Sequence, residues 1–272
     1  MIKFRWTGCA GVEITQDGKT VLIDPYHTRL SAWKLFFGRH EPLMGSLERY
    51  VSEIPGELSA IIVGHTHLDH AMDVPALSRW CRGPVVGSSS LKTLMDISGA
   101  EKEVTVTWGR KSIDLFDGAR LTMIPSRHGR AFFGRVPFPG EIDPAGKVPL
   151  KASGYRLGEM FLPKLEIGGK TFLHVGSANL VEEDLGGHRC DVLLMCVPGW
   201  YKAPGYVSRL LEITKPQMII PIHFDDFTRP VKQSGHYRHL SFLRMKEFTA
   251  RVRSAAPGAA FRRPRPFQPM LI

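Results

Sequence analysis

Cysteine is scarce and has no pairing pattern: the four residues Cys9, Cys81, Cys190 and Cys196 include no CxxC pair. A disulfide framework is therefore not expected. Long apolar runs are also missing, since every candidate is broken by Gly, Pro or charge well short of the ~18 residues of a spanning helix. No membrane span is predicted. The opening MIKFRWTGCAGVEIT lacks a charged and then apolar leader, which makes a cytoplasmic protein the expectation. No repeat of 20 to 50 residues and no Gly/Ser linker divides the chain, so one domain is expected over residues 1–250, followed by a basic tail over 251–272.

What is present is histidine and positive charge. The 272 residues include 11 His, with 36 Lys+Arg against 26 Asp+Glu, a net charge of +10. Arg251, Arg253, Arg262, Arg263 and Arg265 stand in the last segment with no acid among them, so the tail carries half of that excess. With 43% hydrophobic residues, a chain of this length buries roughly three quarters of its unfolded surface. The fold then needs no metal to hold it, and a metal site would point to function.

Short strands with tight turns open the chain: IKFRW, VEIT and KTVLID, with Asp17-Gly18 as a hairpin turn. Residues 26–57 read as irregular, and SAIIVG as a buried strand. Helices are predicted near Val74–Trp80, Ser89–Ile97, Tyr206–Thr214 and His239–Arg251. Further strands are predicted at PVVG, EVTV, SIDLF, RLTMIP, SGYRL, KLEI, KTFLHV, DVLLMCV and QMIIPI, with Gly168-Gly169 as a second hairpin turn. Residues 129–151 are too rich in Pro and Gly for a helix or central strand and read as a lid or rim.

The strongest chemical signal is His65-Thr66-His67-Leu68-Asp69-His70, directly after an apolar strand. In extended backbone, side chains two apart point the same way, so His65 and His67 converge on one ion while the following turn offers Asp69 and His70 to a second. Imidazole and carboxylate donors suit zinc, with manganese or iron as alternatives.

With GCAGVEIT…GKTVLIDP before it and PIHF after it, this motif resembles the metallo-β-lactamase superfamily. The likeness is greatest to the branch of metal-dependent hydrolases that includes ascorbate-phosphate lactonase and the phospholipase acting on N-acylphosphatidylethanolamine. The likeness runs from about residue 2 to residue 228. It implies an α/β fold, a four-layer αββα sandwich with metals in a cleft at one edge. It also implies one or two divalent ions: the first held by His65, His67 and His128, the second by Asp69, His70 and His223. Where the family carries a bridging aspartate, the segment FLHVGSAN places Ser177, a neutral and poorer bridge. Asp24 is a candidate acceptor for the second ring nitrogen of a ligand histidine; the alternative is a turn-capping role before Pro25.

The reaction expected from such a site is hydrolysis by a metal-activated water, with Asp69 both ligating and steering the nucleophile. The target is an ester, lactone or phosphodiester. Arg127, Arg130 and Arg135 flank His128, and guanidinium groups suit phosphate or carboxylate. With Trp33, Phe36, Phe37, Phe132, Phe133 and Phe138 in the two long loops, they favour an anionic, lipid-like small molecule, unless the aromatics pack on one another. The stretches 199–206 and 235–239 are further candidates for the cleft rim, while His174, His236 and His239 are read as ordinary core or surface histidines. Two alternatives stand beside this reading. One is a nucleic-acid-processing metallohydrolase using the arginine tail; the other is a noncatalytic binding protein with a weakened metal site.

Overall fold

The computed structural model describes all residues except Arg110, Phe132, Phe133, 230–236 and Ser241. The first half builds one seven-stranded sheet. Its strands are β1 (Lys3–Gly8), β2 (Gly11–Gln16), β3 (Lys19–Ile23), β4 (Glu57–Ile62), β5 (Val85–Gly87) and β6 (Val104–Val106), and β14 (Met270–Leu271) is added beside β1. The second half builds a matching sheet from β7 (Ser112–Phe116), β8 (Ala119–Pro125), β9 (Phe161–Ile167), β10 (Lys170–Val175), β11 (Val192–Cys196), β12 (Met218–Ile222) and β13 (Ala260–Phe261). Each sheet starts as an antiparallel meander and continues with parallel strands, from β3 onward in the first and from β10 onward in the second.

Turn chemistry sets the hairpins. Asp17 and Gly18 both have positive φ, as do Gly168 and Gly169, the primed turns that match the twist of two-residue hairpins. Period-two alternation then sorts side chains between layers. On β3, Val21 and Ile23 enter the core between the sheets while Leu22 faces the helices outside. On β4 the register shifts at Ser59, so that Leu58 faces out while Ala60 and Ile62 face in.

Helices cover both outer faces. Against the first sheet lie α2 (Met44–Ser52), α4 (Val74–Leu77) and α5 (Ser89–Ile97), through Leu47, Tyr50, Leu77, Leu91 and Leu94. Ser88 caps α5 by accepting from Leu91 N–H. Against the second sheet, α7 (Tyr206–Thr214) and α8 (Met245–Ala255) bury Leu210, Leu211, Phe248 and Val252. The result is the expected αββα sandwich. Each fully buried Leu, Ile or Phe in these cores contributes roughly 1.5–3 kcal/mol, so the layers hold without help from an ion.

Several local expectations change. Residues 26–57 are not irregular throughout: they contain α1 (Ala32–Phe37) and α2. α2 forms because Leu47 and Tyr50 share one face, a spacing hidden among polar residues. The helix expected near Val74–Trp80 is α4 continued by a 3₁₀ turn over Ser78–Trp80, and a further short helix, α3 (Leu68–Ala71), precedes it. SGYRL is no strand but a 3₁₀ turn at Ala152–Gly154 leading into coil, and β9 begins only at Phe161. The last helix starts at Met245, not near His239. Residues 251–272 end α8 and then place one short strand on each sheet. Among the described residues, no helix is long and apolar enough to cross a membrane.

Candidate metal centre

The candidate residues stand just beyond the C-terminal ends of parallel-running strands, where open α/β sheets place their sites. Cys9 follows β1, Asp24 follows β3, His65 follows β4, His128 follows β8, Ser177 follows β10 and His223 follows β12. Three of these, Cys9, Asp24 and His223, have left-handed backbones with φ of 48°, 47° and 63°. Such conformations are costly for residues with a Cβ and concentrate at functional sites. Gly176 is required by close approach, since a Cβ there would lie 3.0 Å from Asp24 Oδ2 and 3.4 Å from His70 Cε1.

Three trios of side chains bring donor atoms within 4.8 Å of one another: His65, His67 and His128; Cys9, Asp69 and His223; and Asp24, His65 and His70. The first is the trio the sequence places around one ion. Hydrogen bonds assign its free nitrogens. His67 Nε2 lies 2.9 Å from the Pro137 carbonyl and His128 Nδ1 lies 2.6 Å from the Gly129 carbonyl; a carbonyl only accepts, so both nitrogens donate. That leaves His67 Nδ1 and His128 Nε2 as lone-pair donors. Both ring nitrogens of His65 are buried without a hydrogen-bond partner, a costly state unless an ion takes one of them. On this ground the residues fit a divalent metal.

The second expected set, Asp69, His70 and His223, also stands close together. His223 Nε2 lies 3.1 Å from Asp69 Oδ2, whereas His70 Nε2 is 3.9 Å from the same oxygen. His70 also groups with Asp24 and His65, and its Nδ1 is 2.7 Å from Asp24 Oδ2. Asp24 also accepts from Gly64 N–H at 2.6 Å and is fully buried, so it joins the ends of β3 and β4 while holding the His70 ring. Cys9 is the residue the sequence reading left out. No spacing ties position 9 to positions 69 and 223; only the sheet order brings them together.

Burial sets the charge states. It drives the pKa of His65 far down, with the neighbouring imidazoles adding to the effect, and takes His67 to about 4 and His128 to about 3. All three rings are therefore neutral and available to a metal at physiological pH. His70 is also pulled down by burial, but the Asp24 and Asp69 carboxylates outweigh this and its pKa rises. Burial pushes Asp69 up, yet His70 and His223 prevail and hold it below the usual carboxylate range. A carboxylate so firmly ionised orients a nucleophile better than it carries a proton.

The Ser177 side chain serves the backbone beside His128. Its Oγ accepts from Gly129 N–H at 3.0 Å, and Asn179 Nδ2 donates to the His128 carbonyl at 3.2 Å; this turn braces the backbone that carries His128. The loop over 129–151 crosses the first trio at Pro137 and is pinned by Ile142 N–H donating to Ser90 Oγ. Arg127, Arg130 and Arg135 are exposed beside it. The aromatics of α1 do not pack into the protein: Trp33, Phe36 and Phe37 are 73%, 69% and 68% exposed, although Trp33 and Phe37 rest on each other. Phe132, Phe133, Gly235 and His236 lie outside the described residues. His174 is a core residue bonded to the Ala10 carbonyl, and His239 stacks on Phe224. Lys202 Nζ donates to the Ala131 carbonyl, tying the 199–206 stretch to the loop.

Comparison with known proteins gives the family and the fold. A metal-dependent hydrolase of the UPF0173 group from Thermus thermophilus is 28% identical over 239 residues, covering 86% of this chain and 88% of its own length. Among solved structures, a metallo hydrolase from Ignicoccus hospitalis superposes with a TM-score of 0.61 at 15% identity, covering 99% of this chain and 97% of its own. The isothiocyanate hydrolase of Delia radicum gut bacteria gives a TM-score of 0.62 at 15% identity, covering 99% of each chain; these two likenesses show the shared fold. The family model described as the beta-lactamase superfamily domain matches residues 3–223, which takes in every candidate ligand from Cys9 to His223. The chain belongs to the β-lactamase superfamily.

Proposed function

We propose that this chain, a metal-dependent hydrolase, cleaves an ester, lactone or phosphodiester bond in an anionic, amphiphilic small molecule. The observation that carries the reading is the trio His65, His67 and His128, whose free nitrogens converge while hydrogen bonds to Pro137 and Gly129 fix two of the rings. Asp69, His70 and His223 are the residues expected to hold a second ion, and zinc is the metal the donors suit best. When bound, such an ion lowers the pKa of a coordinated water toward neutrality and polarises the oxygen of the scissile group.

The chain's own residues supply the remainder. Asp69 stays ionised and directs the attacking water, and Asp24 keeps His70 in one tautomer by accepting from its Nδ1. Arg127 and Arg130, exposed on either side of His128, are the candidate partners for the negative group of the substrate. The exposed rings on α1 lie near the same loop, because Arg39 Nη1 donates to the Pro149 carbonyl and His40 pairs with Leu150. They favour a substrate with an apolar portion.

The test is a hydrolysis panel of lactones, phosphodiesters, phospholipids and β-lactams, run on wild type and on His67→Ala. Turnover of an anionic member, lost in the variant, supports the reading. Turnover that survives His67→Ala contradicts it.

A further inference from the structure

The second metal position has a donor outside the HTHLDH motif. We infer that Cys9 Sγ ligates the second ion together with Asp69 and His223, supplying the anionic ligand that Ser177 does not; this rests on the metal-dependent reading above. The three donor atoms lie within 4.8 Å of one another. With Zn–S about 2.3 Å and Zn–N and Zn–O about 2.0–2.2 Å, tetrahedral donors stand roughly 3.3–3.6 Å apart, inside that limit, and His223 Nε2 and Asp69 Oδ2 lie 3.1 Å apart.

The backbone around Cys9 is built to aim its side chain. Cys9 N–H donates to Asp225 Oδ1 at 2.8 Å, and its carbonyl accepts from His223 N–H at 2.7 Å and from Trp6 Nε1 at 2.8 Å. The residue is fully buried and left-handed, so it holds an unfavourable conformation that the surroundings enforce. Gly8 is the neighbour that allows this, because a Cβ there would meet Arg29 Nη2 at 2.0 Å. Arg29 Nη1 donates to Cys9 Sγ at 3.0 Å and lies 3.1 Å from Asp225 Oδ2. A guanidinium on the sulfur orients it and compensates the negative charge of a ligating thiolate.

Without an ion, burial pushes the Cys9 thiol well above its ordinary pKa. A coordinating metal reverses that state outright, since ligation deprotonates the thiol and releases its proton to solvent. Sulfur ligation also makes a prediction about metal choice. A thiolate, carboxylate and imidazole set favours zinc over manganese.

Cobalt(II) distinguishes the inference from the reading beneath it. Metal-stripped full-length protein is titrated with cobalt(II), following the visible bands of the bound ion and the near-ultraviolet charge-transfer band of a sulfur–cobalt bond. Two equivalents are expected, the second bringing the sulfur band. In Cys9→Ser the band is lost and the second equivalent binds at least about tenfold more weakly, with the first unchanged. Two equivalents bound by wild type without a sulfur band overturn the assignment of Cys9 and leave the hydrolase reading standing. No cobalt bound at all overturns both. Circular dichroism checks the fold of the variant; should it fail to fold, the wild-type band decides, because no other cysteine groups with metal donors among the described residues.

Discussion

Asp24 shows how one side chain can serve fold and site together. Its two oxygens accept from Gly64 N–H and from His70 Nδ1, with the residue fully buried and its φ at 47°. The sequence offered two readings, a turn cap before Pro25 or an acceptor for a ligand histidine, and the hydrogen bonds to Gly64 and His70 fit the second. Asp24→Asn preserves shape but removes the charge, and an amide nitrogen placed toward either donor would repel it. Charge-assisted bonds of this kind are worth about 1.5–3 kcal/mol. The variant is expected to unfold in urea with a stability lower by about that amount and to bind zinc about 10- to 100-fold more weakly. An unchanged zinc affinity would reduce Asp24 to a structural role.

At the scale of elements, legibility followed periodicity. Strands with clear alternation and helices with a clear apolar face, such as α5 and α7, stand where the pattern puts them. The missed α2 is a different case: beside the apolar packing of Leu47, its Tyr50 reaches a buried polar group on the first sheet. Arg5 donates from Nε and Nη2 to Glu13 at 2.7 and 2.6 Å, and Tyr50 Oη donates to the same carboxylate at 3.0 Å. Glu13 is buried on β2 with an exposure of 1%, so its charge depends on these partners. Arg5→Ala leaves that carboxylate buried with only the tyrosine, a change that costs on the order of 3–5 kcal/mol. A urea midpoint that does not fall in Arg5→Ala would show that the buried Glu13 carboxylate does not depend on this pair. The candidate ligands from distant strands, His128 and His223, were legible because each follows an apolar strand. Cys9 was not, because its meeting with Asp69 and His223 arises from sheet order, which no local pattern encodes.

For the whole molecule, the buried histidines link stability to pH. His27, His67 and His128 have pKa values lowered by burial to about 3, 4 and 3, against about 6.5 in an unfolded chain. Between these values the unfolded state binds more protons, so their contribution is complete above pH ~6.5 and is lost as pH falls through that window. At pH ~5 the loss is roughly 2 kcal/mol per histidine. His70, whose pKa is raised, opposes this as a single residue, since its contribution is present at low pH and fades as pH rises. The melting temperature of metal-free protein is therefore expected to fall steadily from pH 7 to pH 4.5; a flat profile would contradict it. The opening contrast between histidine and net charge also resolves at this scale. His65, His67, His70, His128 and His223 converge beyond the strand ends, whereas part of the tail's charge is engaged within the fold, with Arg263 lying over Phe224 and beside His239.

His65, His67 and His128 are proposed to hold a divalent ion that the reaction requires. Elemental analysis of purified, reconstituted protein, paired with the hydrolysis panel, tests it most directly. Wild type should hold about one to two equivalents of zinc or a similar ion, and His67→Ala should lose metal and turnover together. Wild-type protein that binds no divalent metal after reconstitution would contradict the claim.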